Sequence, residues 1–235
     1  MTHVLMSAGP LAVELTSRTV FKHFVKDGGP ITWCVLIPLS VVSIGLILHY
    51  LITIRRGTQT PDGLAKAIVT AARQGLLHNV EEITRDEESM LGQTAYAAAS
   101  NLSAGREAAS AAVDEAVEEQ AGRLMRRIEY LNVIGNISPM IGLLGTVVGM
   151  IQAFTHIQAA GAPDPNQLVG DIAIALVNTF WGLFIAIPGL TAYAFFRNRI
   201  DAYAAECIRL CDGIIARASA DAARPAAPRE PVAVR

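Results

Sequence analysis

Charged residues are scarce in this sequence. Asp, Glu, Lys and Arg make up 17% of the 235 residues, whereas soluble proteins carry about 25%. The net charge of −2 shows no excess of basic residues, so no nucleic-acid partner is expected. Cysteine is also rare, and the spacing of Cys34, Cys207 and Cys211 predicts neither a zinc site nor a disulfide framework. We expect these thiols to be reduced or buried.

Catalytic signatures are missing as well. The five histidines are scattered, and the sequence shows no nucleophile–base constellation, phosphate-binding loop or metal-ligand spacing. We therefore expect no enzyme activity, no cofactor and no metal. The start of the chain also lacks the apolar core of a signal peptide, because Glu14, Arg18 and Lys22 interrupt it. Instead, the apolar and basic residues of 15–25 predict a short amphipathic helix on a membrane surface.

Three apolar stretches without charged residues stand out, at 31–54, 132–157 and 172–196. Each exceeds the roughly 20 residues that a helix needs to cross a bilayer. Only helices are consistent with such a pattern, because backbone polar groups must be satisfied internally in lipid. The sequence therefore predicts an all-α integral membrane protein with three transmembrane helices.

Flanking arginines orient these spans. Arginines follow the first span, precede the second span and follow the third span, whereas the loop between the second and third spans has no Lys or Arg. The positive-inside rule then predicts an outer N-terminus and an inner C-terminus. The expected division is an outer segment 1–30, transmembrane helix 31–54, cytoplasmic helical region 55–131, transmembrane helix 132–157, outer loop 158–171, transmembrane helix 172–196, cytoplasmic helix 197–221 and disordered tail 222–235.

The region before the second span predicts three helices. Pro61-Asp62 is typical of a helix start, a second helix is expected over about 80–99, and Ser103 is predicted to cap a third. No helix breaker separates this third helix from the second span, so one long helix over about 103–157 is predicted. Beyond the third span, apolar residues at helical spacing are expected to pack against that helix: Ile200, Tyr203, Ala204, Cys207, Cys211, Ile214 and Ile215.

The second span carries a stripe of small residues. Gly135, Gly142 and Gly149 recur every seven residues, and Gly145 forms a GxxxG pair with Gly149. Such residues let helix backbones approach closely in lipid, which favours a packing role. Thr146 adds a hydroxyl to this face, and we interpret it as a plausible wall of an ion path.

The third span has a similar face, with Asn178, Thr179 and Gly182 on it. Asp171 lies at its start and is either a titratable group of an ion path or a helix cap at the outer interface. Pro139 and Pro188 each remove one backbone hydrogen bond, which predicts kinks, with flexible hinging as the alternative. The carbonyls that they free belong to Gly135 and Phe184, and are open to water or a serine hydroxyl.

Two motifs carry a resemblance to a known family. They are Pro139-x-x-Gly142-Leu143-Leu144-Gly145-Thr146-Val147-x-Gly149-Met150 and Ala175-Leu176-x-x-Thr179-x-x-Gly182-Leu183-x-x-Ala186-Ile187-Pro188. These runs resemble the second and third transmembrane helices of the MotA/TolQ/ExbB proton-channel family, and three spans favour its ExbB/TolQ branch.

The resemblance implies a fold and an assembly. It implies that Thr146 and Thr179 line a channel, and that five copies form a homo-oligomeric ring in the bacterial inner membrane, with long cytoplasmic helical extensions. It also implies a pair of ExbD/TolR-like single-span partners inside the ring, each with one membrane Asp, and a TonB- or TolA-like protein as a further partner. The expected function is that of a subunit in a motor driven by the proton-motive force, which energises transport or envelope processes.

One position departs from the family pattern. Many ExbB and TolQ proteins carry Glu where this chain has Ile174. Asp171, one turn earlier, can partly replace it, whereas Asn178 cannot titrate but can bond a hydroxyl, a water or a partner carboxylate. Without that Glu, a non-conducting membrane scaffold for envelope partners is an alternative function, and coupling to sodium is a third hypothesis.

Overall fold

The structure is a computed structural model that describes residues 29–74, 76–160 and 165–222. Within these ranges the chain is helical and contains no strand. The predicted amphipathic helix at 15–25 and most of the C-terminal tail lie outside them. The helices are α1 Gly29–Thr53, α2 Arg56–Gln59, α3 Asp62–Arg73, α4 Leu77–Thr84, α5 Met90–Asn101, α6 Arg106–Ala160 and α7 Pro165–Ala222.

Three of these helices, α1, α6 and α7, are long and apolar enough to cross a membrane. This confirms the all-α class and the three candidate spans. The chain divides into two compact units: Met1–His49 with Glu129–Ala194, and Tyr50–Ile128 with Phe195–Arg235. The first unit holds the apolar parts of the long helices, and the second holds the shorter helices.

In the first unit, α6 and α7 approach each other along their small residues. A Cβ built on Gly182 would lie 2.6 Å from the carbonyl oxygen of Ser138 and 3.1 Å from the Cα of Gly142. A Cβ on Gly142 would lie 2.9 Å from the carbonyl oxygen of Asn178. Contacts this short leave no room for a side chain, so the helices pack backbone to backbone here. We call this row the glycine seam; its members are Gly135, Gly142, Gly145 and Gly149 on α6 and Gly182 on α7.

The rest of the seam packs against side chains of α7. A Cβ on Gly145 would lie 2.5 Å from the Cβ of Asn178, and one on Gly149 would lie 2.9 Å from the Cβ of Ala175. A Cβ on Gly135 would lie 2.6 Å from the Cγ of Leu190. All seam glycines are buried. The seam therefore runs along the whole apolar part of the hairpin.

Helix α1 joins this hairpin through a buried hydrogen bond. The Thr32 hydroxyl donates to Oδ1 of Asn178 at 2.5 Å, and both residues are at most 2% exposed. Thr32 lies in a π-helical turn, Thr32–Leu36, just before Pro38. Proline has no N–H for the carbonyl four residues earlier and crowds it, so a wider turn is accommodated here.

The second unit buries one face of each long helix together with α3 and α5. On α6, Val113, Val117, Leu124 and Ile128 are at most 7% exposed, while acidic residues at 107, 114 and 118 are exposed. The predicted stripe on α7, with its two cysteines, is also buried except for Ala204, which is partly exposed; Cys34 is exposed. Within this unit the Tyr50 hydroxyl donates to the Arg127 carbonyl at 2.6 Å.

Helix starts were predicted with mixed success. The start at Pro61-Asp62 and the long helix over 103–157 are confirmed by α3 and α6. The single helix over 80–99 was wrong, because α4 ends at Thr84 and the Ser89 hydroxyl caps α5 by accepting from the Gly92 N–H at 3.1 Å.

The predicted cap at Ser103 was also wrong. Ser103 lies in a 3-10 turn, Leu102–Ala104, and the chain then passes through Gly105 with φ +110°. Residues with a side chain rarely adopt this conformation, so Gly105 separates the turn from α6. The long helix therefore begins at Arg106.

We predict that Gly145→Ala lowers the free energy of unfolding by about 1 to 3 kcal/mol, the usual cost of overpacking. The added methyl would overlap Asn178, which also bonds α1. Denaturant-induced unfolding of the purified protein in detergent measures the change. Gly45→Ala on α1 is the matched control, because its Cβ would meet nothing within 4 Å. Equal stability of the two variants would contradict the close packing.

We also predict that Thr32 and Asn178 are energetically coupled. In a double-mutant cycle of Thr32→Val and Asn178→Ala, we expect a coupling free energy between about 0.6 and 1.7 kcal/mol, the average and the maximum for hydrogen bonds between membrane helices. The same unfolding measurement gives the values. A cycle that pairs Thr32→Val with Thr155→Val should give nearly zero, because the Thr155 hydroxyl bonds its own helix at Ile151.

Candidate functional site

Thr146 and Thr179 lie at the same level of the hairpin. The Thr179 hydroxyl on α7 donates across to the carbonyl of Gly142 at 3.3 Å. The Thr146 hydroxyl donates within α6 to the carbonyl of Leu143 at 2.6 Å. Since these two carbonyls belong to adjacent residues, both hydroxyls are held beside one turn of α6. The structure thus brings together the two threonines that the sequence singles out.

Both threonines are partly exposed, unlike the seam beside them. Each hydroxyl uses its hydrogen on a carbonyl and keeps acceptor capacity. It can therefore accept a hydrogen bond from a water or from a protonated carboxyl group. Neutral acceptors of this kind suit the wall of a path along which another group carries the charge.

Asp171 lies inside α7, six residues after the helix begins at Pro165. The interpretation of Asp171 as a helix cap was therefore wrong. Its Oδ2 lies 2.8 Å from Nδ1 of His156 on α6, and its side chain is 13% exposed. Its own backbone carbonyl lies at the seam, 3.1 Å from where a Cβ of Gly149 would be.

Asn178 lies between the helices, where it packs on Gly145 and accepts the hydrogen bond from Thr32. At 2% exposure, its contacts in the single chain are those of a packing residue. Ile174 is partly exposed, and its Cγ2 lies 3.2 Å from where a Cβ of Gly29 would be. Where many ExbB and TolQ proteins carry Glu, this chain thus has an apolar side chain, which lies beside the start of α1.

Pro139 and Pro188 both lie inside continuous helices. The Ser138 hydroxyl, a candidate partner for the freed Gly135 carbonyl, donates instead to the carbonyl of Ile134 at 2.6 Å. Near the second proline, the buried Ser43 hydroxyl has no hydrogen-bond partner in the structure and lies 3.6 Å from where a Cβ of Gly189 would be. Kinks and hinging at these prolines stay predictions.

Sequence reasoning missed two contacts of this site. His156 was counted among the scattered histidines, and Thr32 was not singled out within the first span. The first had a signal in the sequence. Positions 156 and 171 are about equally far from Pro163-Asp164-Pro165, a sequence that predicts a turn, so they are expected to face each other across an antiparallel hairpin. Over the part of the chain that the structure describes, no cluster of three metal-ligating side chains occurs.

Comparison with known proteins gives a consistent result. Residues 86–207, more than half of the chain, match the MotA/TolQ/ExbB proton channel family. The biopolymer transport protein ExbB of Neisseria gonorrhoeae is 40% identical over 83 residues, 34% of this chain and 38% of that protein. ExbB of Xanthomonas campestris pv. campestris (strain B100) is 36% identical over 85 residues, 36% of this chain and 34% of that protein.

The Tol-Pal system protein TolQ of Haemophilus influenzae is 35% identical over 91 residues, 39% of this chain and 40% of that protein. The matched segments thus span between a third and two fifths of the length of these relatives. The structure of C. jejuni MotAB has a TM-score of 0.49 and 20% identity, with 88% of this chain and 85% of that chain covered. On its sequence, this chain belongs to the MotA/TolQ/ExbB proton channel family, in the ExbB/TolQ branch.

Proposed function

We propose that this protein is the ExbB/TolQ-like subunit of an inner-membrane motor driven by the proton-motive force. The observation that carries the proposal is the placement of the Thr146 and Thr179 hydroxyls beside adjacent carbonyls of α6, next to the buried glycine seam. Together with family membership, this favours a hydroxyl-lined ion path along the hairpin. Asp171 would lie at its outer end, and Asn178 would hold the wall from behind.

The proposed path needs a charge carrier from a partner. Between 132 and 196 the only acidic residues are Asp164 and Asp171, and a charge in the middle of a bilayer costs several kcal/mol unless it is paired or solvated. A partner helix with one membrane Asp completes the path most simply. In the proposal, five copies of this chain surround a pair of ExbD/TolR-like single-span subunits, and a TonB- or TolA-like protein receives the motion.

The orientation in this proposal has the N-terminus in the periplasm and the C-terminus in the cytoplasm. The arginines beside the three spans support it. The partner carboxyl would take a proton from outside, pass Thr146 and Thr179, and release it inward. One charge that crosses the membrane yields about 2.3 kcal/mol per 100 mV, so a few protons could drive a rotation or a pull on the partner.

A second candidate function is a non-conducting scaffold that organises envelope partners. Two observations favour it: Ile174 replaces the family's Glu, and the seam with Asn178 has the contacts of a packing surface. Proton flux into liposomes that contain the complex separates the two candidates. A motor subunit carries protons under an applied potential, and a scaffold does not.

We predict that Thr146→Val and Thr179→Val each lower proton flux at least about tenfold and leave the assembly intact. Valine keeps the shape but removes the hydroxyl that accepts from the carrier, and a positioned proton-transfer partner contributes about 100-fold or more. A pH-sensitive dye inside liposomes that contain the complex measures the flux. Size-exclusion chromatography of the same samples reports assembly.

The matched controls are Thr155→Val on α6 and Thr191→Val on α7. Both hydroxyls bond a carbonyl of their own helix, at Ile151 and Ile187, and both side chains are exposed. These variants should conduct like the wild-type protein. Wild-type flux in Thr146→Val and Thr179→Val would refute the hydroxyl role, and absence of flux in the wild-type complex would favour the scaffold.

A further inference from the structure

A histidine and an aspartate face each other across the α6–α7 hairpin at one end of the glycine seam. Nδ1 of His156 and Oδ2 of Asp171 are 2.8 Å apart, which is hydrogen-bonding distance. We propose that this pair, which we call the entry pair, takes up protons from the outer solution and delivers them to the ion path. The inference rests on the proposed function and deepens it by naming the residues that load the path.

A group that takes up protons must be exposed, and the group that receives them must be shielded; the two side chains differ in this way. The His156 side chain is 50% exposed, whereas the Asp171 side chain is 13% exposed. The imidazole can therefore exchange protons with water while it contacts a carboxylate that is largely screened from water. Imidazole is also a common proton shuttle in proteins.

Asp171 is connected to the path by its helix. Its backbone carbonyl lies at Gly149, and Ala175, Asn178 and Gly182 continue the same face of α7 into the seam. The carboxylate is thus fixed two turns from Thr179, on the helix whose hydroxyl reaches α6. A proton on Asp171 is at the entrance of the hydroxyl-lined segment rather than on the lipid side.

The transfer is balanced without any redox step. An outer hydronium ion protonates the free ring nitrogen of His156, and the imidazolium then carries N–H on both nitrogens. Nδ1 gives its proton to Oδ2 of Asp171, which leaves a neutral imidazole and a neutral carboxylic acid. The acid passes its proton to the carboxylate of the partner helix. The imidazole, left with N–H on Nε2 only, loses that proton to the outer water and takes one up at Nδ1, after which the Asp171 carboxylate accepts the hydrogen bond from His156 again.

Few other ionisable groups belong to the part of this unit that the structure describes. The described residues 29–49, 129–158 and 168–194 contain Cys34 and His49 on α1, Glu129 and Tyr130 on α6, and Tyr193 on α7 besides the entry pair. Glu129, Tyr130 and Tyr193 lie near the opposite end of the hairpin, about 20 residues or more from the pair along their helices, roughly 30 Å at 1.5 Å per residue. In the described part of this unit, Asp171 is thus the only carboxylate close to the outer end of the path.

The experiment compares His156→Gln, Asp171→Asn and the double variant in liposomes that contain the whole complex, with flux recorded between pH 5 and 8. Glutamine keeps a hydrogen-bonding group but cannot titrate in this range. We expect His156→Gln to lower flux at least about tenfold and to flatten its pH dependence, because a positioned proton-transfer group contributes about 100-fold or more. We expect Asp171→Asn to lower it further, and the double variant to equal Asp171→Asn.

His49→Gln is the matched control, because it removes another histidine of the same unit, and it should keep both rate and pH profile. Replacement of sodium by potassium at fixed pH should leave wild-type flux unchanged. Wild-type rate and pH profile in His156→Gln overturn the entry pair, while loss of flux in Thr146→Val would still uphold the hydroxyl path. Flux that follows sodium instead of pH, or no flux in the wild-type complex, overturns the entry pair together with the proton path.

Discussion

The first unit depends on the close approach of the α6 and α7 backbones. Gly142 and Gly182 bring the two main chains so near that neither position can hold a Cβ. Between helices in lipid there is little hydrophobic driving force, so close contact and interhelical hydrogen bonds must supply the attraction. The same approach lets the Thr179 hydroxyl reach a carbonyl of α6. Packing and candidate function therefore share one geometric cause.

The buried bond of Thr32 to Asn178 extends this constraint to α1. Asn178 packs on Gly145 with one part of its side chain and accepts from α1 with another. A buried amide without a partner would be destabilising in this setting, so the bond fixes α1 at one position on the hairpin. This explains why Asn178, a buried polar residue beside Thr179, is compatible with a stable fold.

The long helices could be predicted from the local sequence pattern. Contacts between residues far apart in the chain could not. Apolar runs predicted the three long apolar helices, and the absence of breakers predicted α6. By contrast, Thr32 and Asn178 are 146 positions apart, and no periodicity connects them. The break between α4 and α5 depends on the Ser89 cap, a short-range signal that the apolar pattern of 80–99 concealed. To predict the contact of His156 with Asp171, the register of the hairpin is needed as well as the residue types.

The distribution of ionisable groups follows from the cost of charge in lipid. Under the proposed function, a titratable group midway along the wall would have to remain stable when ionised and without a partner. The chain instead has hydroxyls at the middle of the hairpin and Asp171 at its end, paired with a half-exposed histidine. In the proposed path the hydroxyl wall would stay neutral whether or not a proton is present, so the proposed partner's carboxyl would be the group that changes its charge beside it. Because a neutralised carboxyl crosses lipid at far lower cost than an ionised one, the proposed path would couple each passage of the partner to one proton.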